Sequence, residues 1–326
     1  MTSGTSCSLA FSISTLSPNQ RKRVANRVSR GRGNLMSEPK VPTVAIIGTG
    51  EMGAAVGRRL RECGATVRTS LRGRTSASAE RVRAAGIEHV DDDDALVKDA
   101  DFVLSIVPPS VAADVAEQFR HPIIRTGSRA IFAECNAVSP LTVRRIEQML
   151  PGIPFIDAGI IGGPPREGSQ DPAAGPRFYA SGSRANELKV LGSFGLDIAV
   201  IDGPVGAASA LKLAYAGLTK GFAALAASMI DAASRDGLDR ILREELQRTQ
   251  PHLLGRIDLF IPQTFRKAYR WVAEMEQIAQ FTGGAAHGSE IYEGAAELFR
   301  AIAEEFERHG TDGALGDLAQ FAKLKP

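Results

Sequence analysis

Val41-Pro42-Thr43-Val44-Ala45-Ile46-Ile47-Gly48-Thr49-Gly50-Glu51-Met52-Gly53 is the stretch that decides the fold. The run from Val41 to Gly48 is short, apolar and rich in β-branched residues, as a strand buried in a parallel sheet should be. Glycines 48, 50 and 53 spell G-x-G-x-x-G. A helical pattern follows through Ala54, Val56, Leu60 and Cys63 until Gly64 stops it, and Ala65 to Leu71 reads as a second strand. A glycine motif set between a strand and a helix, with the next strand on schedule, is a dinucleotide-binding fingerprint. Gly48 permits the tight turn, Gly50 lets backbone amides approach a pyrophosphate, and Gly53 lets helix and strand pack closely. Glu51 and Met52 open the helix, whose free N–H groups and partial positive charge face the phosphate.

Outward from this unit the chain keeps alternating. Strands are expected at Asp101–Val107, Arg129–Cys135 and Ile153–Ala158, and helices near 76–85, 92–99, 110–119 and 139–150. The order implies an α/β, Rossmann-type, doubly wound parallel sheet. After Pro204 the texture becomes Ala-rich and Leu-rich, with a long helix from about Gly206 to Arg235 and further helices near 239–248, 251–258, 263–281 and 289–308. Three segments follow: an arm over 1–40, a nucleotide-binding domain over 41–204, and an all-helical substrate and dimerisation domain over 205–326.

At roughly 150 residues per domain, 326 residues suit two domains and bury ample core. Three cysteines exclude a disulfide scaffold. A net charge of +2 is too small for a nucleic-acid binder. Residues 1–37 hold five Arg, one Lys and no acid, so the rest has 33 bases against 37 acids and is mildly acidic. That Ser- and Arg-rich arm has the composition of an organellar transit peptide, or else lies upstream of a true start at Met36. The expected location is cytoplasmic, or mitochondrial or another organelle if the arm is a targeting segment. No membrane span is expected, because Lys212 and Lys220 interrupt the longest apolar stretch, Ala207 to Ile230.

The end of the second strand selects the cofactor. An NAD site usually carries an acid there for the ribose hydroxyl. Here Thr69-Ser70-Leu71-Arg72-Gly73-Arg74-Thr75-Ser76 has no acid and two arginines. Guanidinium groups suit a 2′-phosphate, so NADP is expected over NAD. The alternative is that Arg72 and Arg74 are ordinary loop charges. Val107-Pro108-Pro109-Ser110 should form the nicotinamide side of the pocket, its prolines fixing a turn. Asn136 either bonds the carboxamide, ribose or substrate, or stabilises its own turn.

With these residues in place the chain resembles the β-hydroxyacid dehydrogenase superfamily of 3-hydroxyisobutyrate and 6-phosphogluconate dehydrogenases. Four pieces carry the likeness: the Gly48–Gly53 loop, Glu134-Cys135-Asn136-Ala137-Val138-Ser139-Pro140, Asp157-Ala158-Gly159-Ile160-Ile161-Gly162-Gly163, and Gly206 followed by Lys212. It covers roughly 41–235 and continues more loosely beyond. The stretch Arg270-Trp271-Val272-Ala273-Glu274-Met275 is similar to a poorly characterised branch with its own C-terminal helical domain. The resemblance implies an active site between the domains, a homodimer, and Lys212 as proton donor or acceptor with hydride transfer. From the helix alone, Lys212 reads either as a desolvated lysine of lowered pKa or as one whose ammonium snorkels to water. The resemblance selects the first.

The departures matter equally. Relatives usually have Ser-Gly-Gly where this chain has Ile161-Gly162-Gly163, so the two glycine N–H groups must hold the substrate alone. Asn positions after the lysine are here Tyr215 and Ala216, and the acid of the 6-phosphogluconate enzymes is here Thr219. That decarboxylation is therefore excluded. Tyr215 shares the face of Lys212 and is a candidate to polarise the reacting oxygen. Trp271 and Met275 fall four apart and read as core packing or pocket lining, and His287 lies in a glycine-rich loop that faces the substrate or solvent. Arg270 and Glu274, also four apart, read as a surface ion pair. Asp91–Asp94 read as a solvated helix start, Cys135 as a small packing residue, and no metal site is expected. The expected function is an NADP-dependent oxidoreductase acting on a small hydroxy- or keto-type substrate. The alternatives are an imine reductase-like C=N reduction and a non-catalytic NADP-binding sensor.

Overall fold

The computed structural model describes residues 41–169, 171–284, 287–313 and 315–323. The arm expected over 1–40 lies outside the described residues, as do Ala285 and Ala286 of the loop before His287. One sheet of eight strands forms the first half: β1 Thr43–Ile47, β2 Thr66–Ser70, β3 Glu88–Val90, β4 Phe102–Ser105, β5 Ile131–Glu134, β6 Phe155–Ile161, β7 Arg177–Ser181 and β8 Asp197–Val200. Their spatial order is β3-β2-β1-β4-β5-β6-β7-β8. Helices α1 Glu51–Glu62, α2 Ser76–Ala85, α3 Asp93–Val97, α4 Ala112–Thr126 and α5 Pro140–Met149 connect the strands. The chain order reverses direction across the sheet between β1 and β4, which places a ligand crevice at their carboxyl ends.

β1 is buried on both faces as its composition requires. Val44 and Ile46 enter one hydrophobic cluster with Val56, Leu60 and Leu104. Ala45 and Ile47 enter the opposite one with Val103, Phe119 and Phe132. The doubly wound parallel sheet read from the sequence is present, with one antiparallel pair that the sequence reading did not include. β7 pairs antiparallel with β6, from Asp157 opposite Ser181 to Ile161 opposite Arg177, and β8 runs parallel to β7. β3, β7 and β8 are three to five residues long. Strands this short give little alternation to read.

The second half is helical: α6 Ala207–Arg235, α7 Asp239–Thr249, α8 Pro251–Thr282, α9 Gly288–His309 and α10 Gly316–Lys323. The break expected between 258 and 263 is absent, because α8 runs unbroken through Pro262. A proline inside a helix costs about 3 kcal/mol. Ile257, Ile261 and Phe265 are nonetheless all buried on one face and hold the two halves in line. Among the described residues α6 is the one helix long and apolar enough to cross a membrane. One side of it packs into the helical core through Leu213, Ala216, Ala223, Ala227 and Ile230.

α6 begins against β6, and two residues of that strand explain how. Asp157, 1% exposed, accepts hydrogen bonds from Gly206 N (2.8 Å), Ser209 N (3.1 Å), Ser209 Oγ (2.7 Å) and Ser181 Oγ (2.9 Å). A strand carboxylate thus satisfies the first N–H groups of the helix, where negative charge is favoured. Two residues on, a Cβ at Gly159 would lie 2.8 Å from Ala208 O and 3.1 Å from Lys212 Cβ. Only glycine lets the helix lie this close, and the close approach sets Lys212 over the strand ends.

Candidate active site

The glycine loop does what its sequence requires. Gly48 has φ +90°, and a Cβ there would lie 2.3 Å from Ile106 O. A Cβ on Gly53 would lie 2.0 Å from Gly48 O. Gly50 differs: a Cβ there would meet nothing within 4 Å. The first and third glycines are packed by protein, while the second opens onto free space at the N-terminus of α1. The buried Thr49 hydroxyl between them has no partner among the described residues. Arg81, which sequence reading passed over, donates from Nε to Thr49 O at 3.0 Å and braces the loop from α2. A pyrophosphate fits this cradle, where the amides of Gly50, Glu51 and Met52 would hold it.

Arg72 and Arg74 are exposed on the turn after β2, with Gly73 between them at φ +70°. Neither guanidinium has an ion pair or hydrogen bond among the described residues, so both are available to a ligand phosphate. Glu51 is paired, with Arg270 of α8 at 3.5 Å.

At the ends of β4 and β5 the polar groups close on one another. Asn136, 4% exposed, accepts from Val107 N at 2.6 Å and donates to Ser105 Oγ (3.1 Å) and Glu134 Oε2 (2.8 Å). Both amide hydrogens are used within the protein, so the side chain fixes the Val107-Pro108 turn and keeps one oxygen lone pair for a ligand. That favours the turn-stabilising alternative for Asn136. Glu134 also accepts from Asn136 N at 3.0 Å. Burial pushes its carboxyl up to about 8, against the pull of those hydrogen bonds and of Lys212. Burial likewise pushes the Cys135 thiol up, as suits a packing residue.

Lys212 projects from α6 onto this cluster and donates from Nζ to Cys135 O at 3.3 Å. Burial lowers its pKa, opposed by the negative charge of Glu274 and reinforced by the positive charge of Lys220. The structure thus brings together the loop after β1, the turn after β4, the end of β5 and the lysine of α6. Ile161 ends β6, followed by Gly162 at φ +124° and an exposed Gly163. A Cβ on Gly162 would lie 3.0 Å from Pro176 Cα, whereas Gly163 is open.

Two other expectations need correction, those for Tyr215 and for the Arg270–Glu274 pair, and for Met275, His287 and Trp271 the structure favours core packing or solvent over lining of a substrate pocket. Tyr215 is 52% exposed, on an outer stripe with Leu211, Leu218, Leu225 and Met229, because it lies 60° around the helix from Lys212 toward solvent. Met275 has no exposed surface and belongs to the helical core with Leu213, Ile278 and Phe299, so it offers a ligand nothing. His287 is exposed, pairs with Glu290 of its own helix, and starts α9 in a left-handed conformation at φ +58°. Arg270 and Glu274 do not pair: Arg270 reaches Glu51, and Glu274 turns inward to Lys220. Trp271 is buried edge-on against Phe299, with Lys220 Nζ 5.6 Å above its ring, so it reaches the cleft through that lysine.

Sequence reading also missed a clamp between the two halves. Gln277 Oε1 accepts from Ser139 N at 2.8 Å and Thr142 Oγ1 at 2.9 Å, and Gln280 accepts from the Ser139 hydroxyl. Lone glutamines on a helix carry no sequence signal for such a contact. Asp157 and Gly159 lie in the Asp157–Gly163 stretch, but only the packing of α6 reveals their use.

Comparison with known proteins agrees with this arrangement. Residues 43–194 match the NAD binding domain of 6-phosphogluconate dehydrogenase, and residues 233–302 match a domain of unknown function, DUF1932. An uncharacterised 28.5 kDa protein of Methanothermus fervidus is 31% identical over 207 residues, 64% of this chain and 77% of that protein. A solved structure of a conserved protein of unknown function, MTH1747, described as similar to 3-hydroxyacid dehydrogenases, is 28% identical with a TM-score of 0.60, over 85% of this chain and 99% of the other. The 3-hydroxyisobutyrate dehydrogenase of Mycobacterium tuberculosis shares the fold at 19% identity and a TM-score of 0.58, over 87% of this chain and 98% of its own. The chain belongs to the β-hydroxyacid dehydrogenase-like NAD(P)-dependent oxidoreductases, in the branch whose nucleotide-binding domain is joined to a DUF1932 domain.

Proposed function

We propose that the protein is an NADP-dependent dehydrogenase or reductase of a small hydroxy- or keto-type substrate, with Lys212 carrying the proton. The observation that carries this reading is the desolvated Lys212 ammonium, fixed on Cys135 O beside the open face of the glycine loop. The bound dinucleotide would supply or accept the hydride at its nicotinamide. The protein then has one remaining task, since a carbonyl oxygen gains a proton as its carbon gains a hydride. A lysine of lowered pKa exchanges that proton more readily than an ordinary one, as acid in reduction and as base in oxidation. Gly162 and Gly163 would present backbone N–H groups to the substrate's polar end, and Ile161 would pack against its apolar part. Arg72 and Arg74 favour NADP, since both are unpaired cations where a 2′-phosphate would lie.

We also infer a homodimer. The stripe of Leu211, Tyr215, Leu218, Leu225 and Met229 along α6 is 39–76% exposed. A contiguous apolar face of this kind marks an association surface. The test of the whole reading is a fluorescence titration with NADPH and NADH, followed by a screen of small hydroxy acids, keto acids and imines. Tight NADPH binding with turnover of a hydroxy or keto acid is expected. Absence of binding to either dinucleotide would overturn the oxidoreductase assignment, and turnover of imines alone would replace the substrate class.

A further inference from the structure

Beyond Arg72 and Arg74, a third arginine reaches the crevice beside β2. Arg81 lies within α2, and its side chain runs back toward the start of that helix, as helical side chains do. Its Nη2 donates to Ser78 Oγ at 3.2 Å, and its Nε donates to Thr49 O at 3.0 Å, between the first two glycines of the loop. Its Nη1 has no partner among the described residues. The guanidinium therefore bridges the glycine loop and the first turn of α2, pinned at two points with one nitrogen free. The Arg72 and Arg74 guanidinium groups, in contrast, are exposed and have no such anchor among the described residues.

This is an unfavourable place for a merely structural arginine. A helix N-terminus favours anions, and no carboxylate pairs with Arg81 among the described residues. From Thr66 to Ala79 the chain carries Arg68, Arg72 and Arg74 and no acid. Thr75 Oγ1 accepts from Ser78 N at 3.3 Å, and the amides of Ser76 and Ala77 ahead of it lie outside the helical ladder. Beside the carbonyl that Arg81 holds, the buried Thr49 hydroxyl has no partner among the described residues. Donors and cations thus gather on one side of the glycine loop with nothing negative to meet them.

We propose that Arg81 is a specificity-determining residue for the dinucleotide: its free Nη1, with the first turn of α2, takes the 2′-phosphate of the adenosine half, while its Nε holds the glycine loop. The inference rests on the NADP reading and names the anchored arginine of that site. A planar guanidinium can grip a carbonyl and a phosphate at once, which a lysine ammonium at the same place does less well. The two bonds act differently on ligands. The contact to the phosphate discriminates NADPH from NADH, whereas the brace on Thr49 O serves both dinucleotides equally.

That difference gives the test. Dissociation constants are measured for wild type, Arg81→Ala and Arg81→Gln with 2′,5′-ADP and 5′-AMP by calorimetry, and with NADPH and NADH by fluorescence. Wild type should bind 2′,5′-ADP at least about tenfold more tightly than 5′-AMP. Both variants should lose about tenfold or more of that preference, the worth of a charge-assisted bond. Arg81→Gln keeps an N–H donor for Thr49 O, so its urea midpoint should match that of wild type even where Arg81→Ala unfolds. A preference retained in Arg81→Gln, whether its affinities are unchanged or fall equally for both ligands, would overturn the proposal and leave Arg81 a brace of the loop. Wild type that binds 2′,5′-ADP no more tightly than 5′-AMP would instead overturn the NADP reading, and the proposal with it.

Discussion

The glycine loop and the lysine cleft are joined through the turn after β4, yet they are built on opposite principles. The loop is defined by backbone. Its contacts are N–H groups, its constraint is the absence of side chains at 48, 50 and 53, and it arises from one continuous stretch. The cleft is defined by side chains from β4, β5, α6 and α8, brought together only when the halves pack. The first kind of site is nearly rigid once its strand and helix exist. The second depends on every helix that positions it, so substitutions in the two regions should fail in different ways.

The largest expected effect is in the cleft. Lys212→Ala removes the proton carrier and should lower kcat by roughly 10²–10⁴-fold. NADPH affinity should stay within a factor of about two, since the cradle is built elsewhere. In the reductive direction the wild-type rate should fall as pH rises through the lowered Lys212 pKa and the proton is lost, while the oxidative rate should rise. Steady-state rates in both directions between pH 6 and 10 check this, and parallel profiles would break the assignment.

The loop should separate stability from binding within three residues. Gly53→Ala places a methyl 2.0 Å from Gly48 O and should destabilise the fold by about 1–3 kcal/mol or more, read as a lowered urea midpoint. Gly50→Ala meets no protein atom within 4 Å and has an ordinary φ of −66°, so the urea midpoint should hold. NADPH binding should still weaken by at least about tenfold, because the methyl enters the space where backbone and pyrophosphate meet.

These contrasts explain what the sequence disclosed. Period and punctuation found β1, α1, β2 and the ends of most helices, because each depends on local composition. The antiparallel β7 is five residues set between turns, and its direction depends on pairing with β6. The cleft is legible only where a motif marks it, at Lys212, Asn136 and the Val107-Pro108 turn. Glu274 reads from the sequence as a surface partner of Arg270, since i,i+4 spacing states which residues are neighbours but not which face is covered. Gly159 and Asp157 are needed because α6 crosses β6 there, and a crossing is a property of two segments.

A smaller effect sharpens the cofactor side. Arg72→Ala and Arg74→Ala should each weaken NADPH by about tenfold, the worth of a charge-assisted bond to phosphate. NADH affinity should be unchanged in both, since NADH lacks that phosphate. Equal losses for the two dinucleotides would reduce the arginines to general surface charge.

A pH-dependent effect tests the seam where the regions meet. Glu134 holds Asn136, Asn136 holds the turn at Val107, and Lys212 stands on the next carbonyl. With its folded pKa raised to about 8, Glu134 keeps a proton that the unfolded chain releases near 4.5. Between those values the folded state binds more protons, so the group's contribution to stability declines as pH rises, by at most about 1.4 kcal/mol per pH unit, and levels off above 8. Glu134→Gln cannot ionise and removes that slope. The urea midpoint of wild type relative to Glu134→Gln should therefore be most favourable near pH 5 and least favourable near pH 8.5. Parallel curves would mean that the carboxyl is ionised throughout in the folded protein. The two hydrogen bonds from Asn136 would then outweigh burial, and the turn beside the cofactor would rest on a fixed charge set against Lys212.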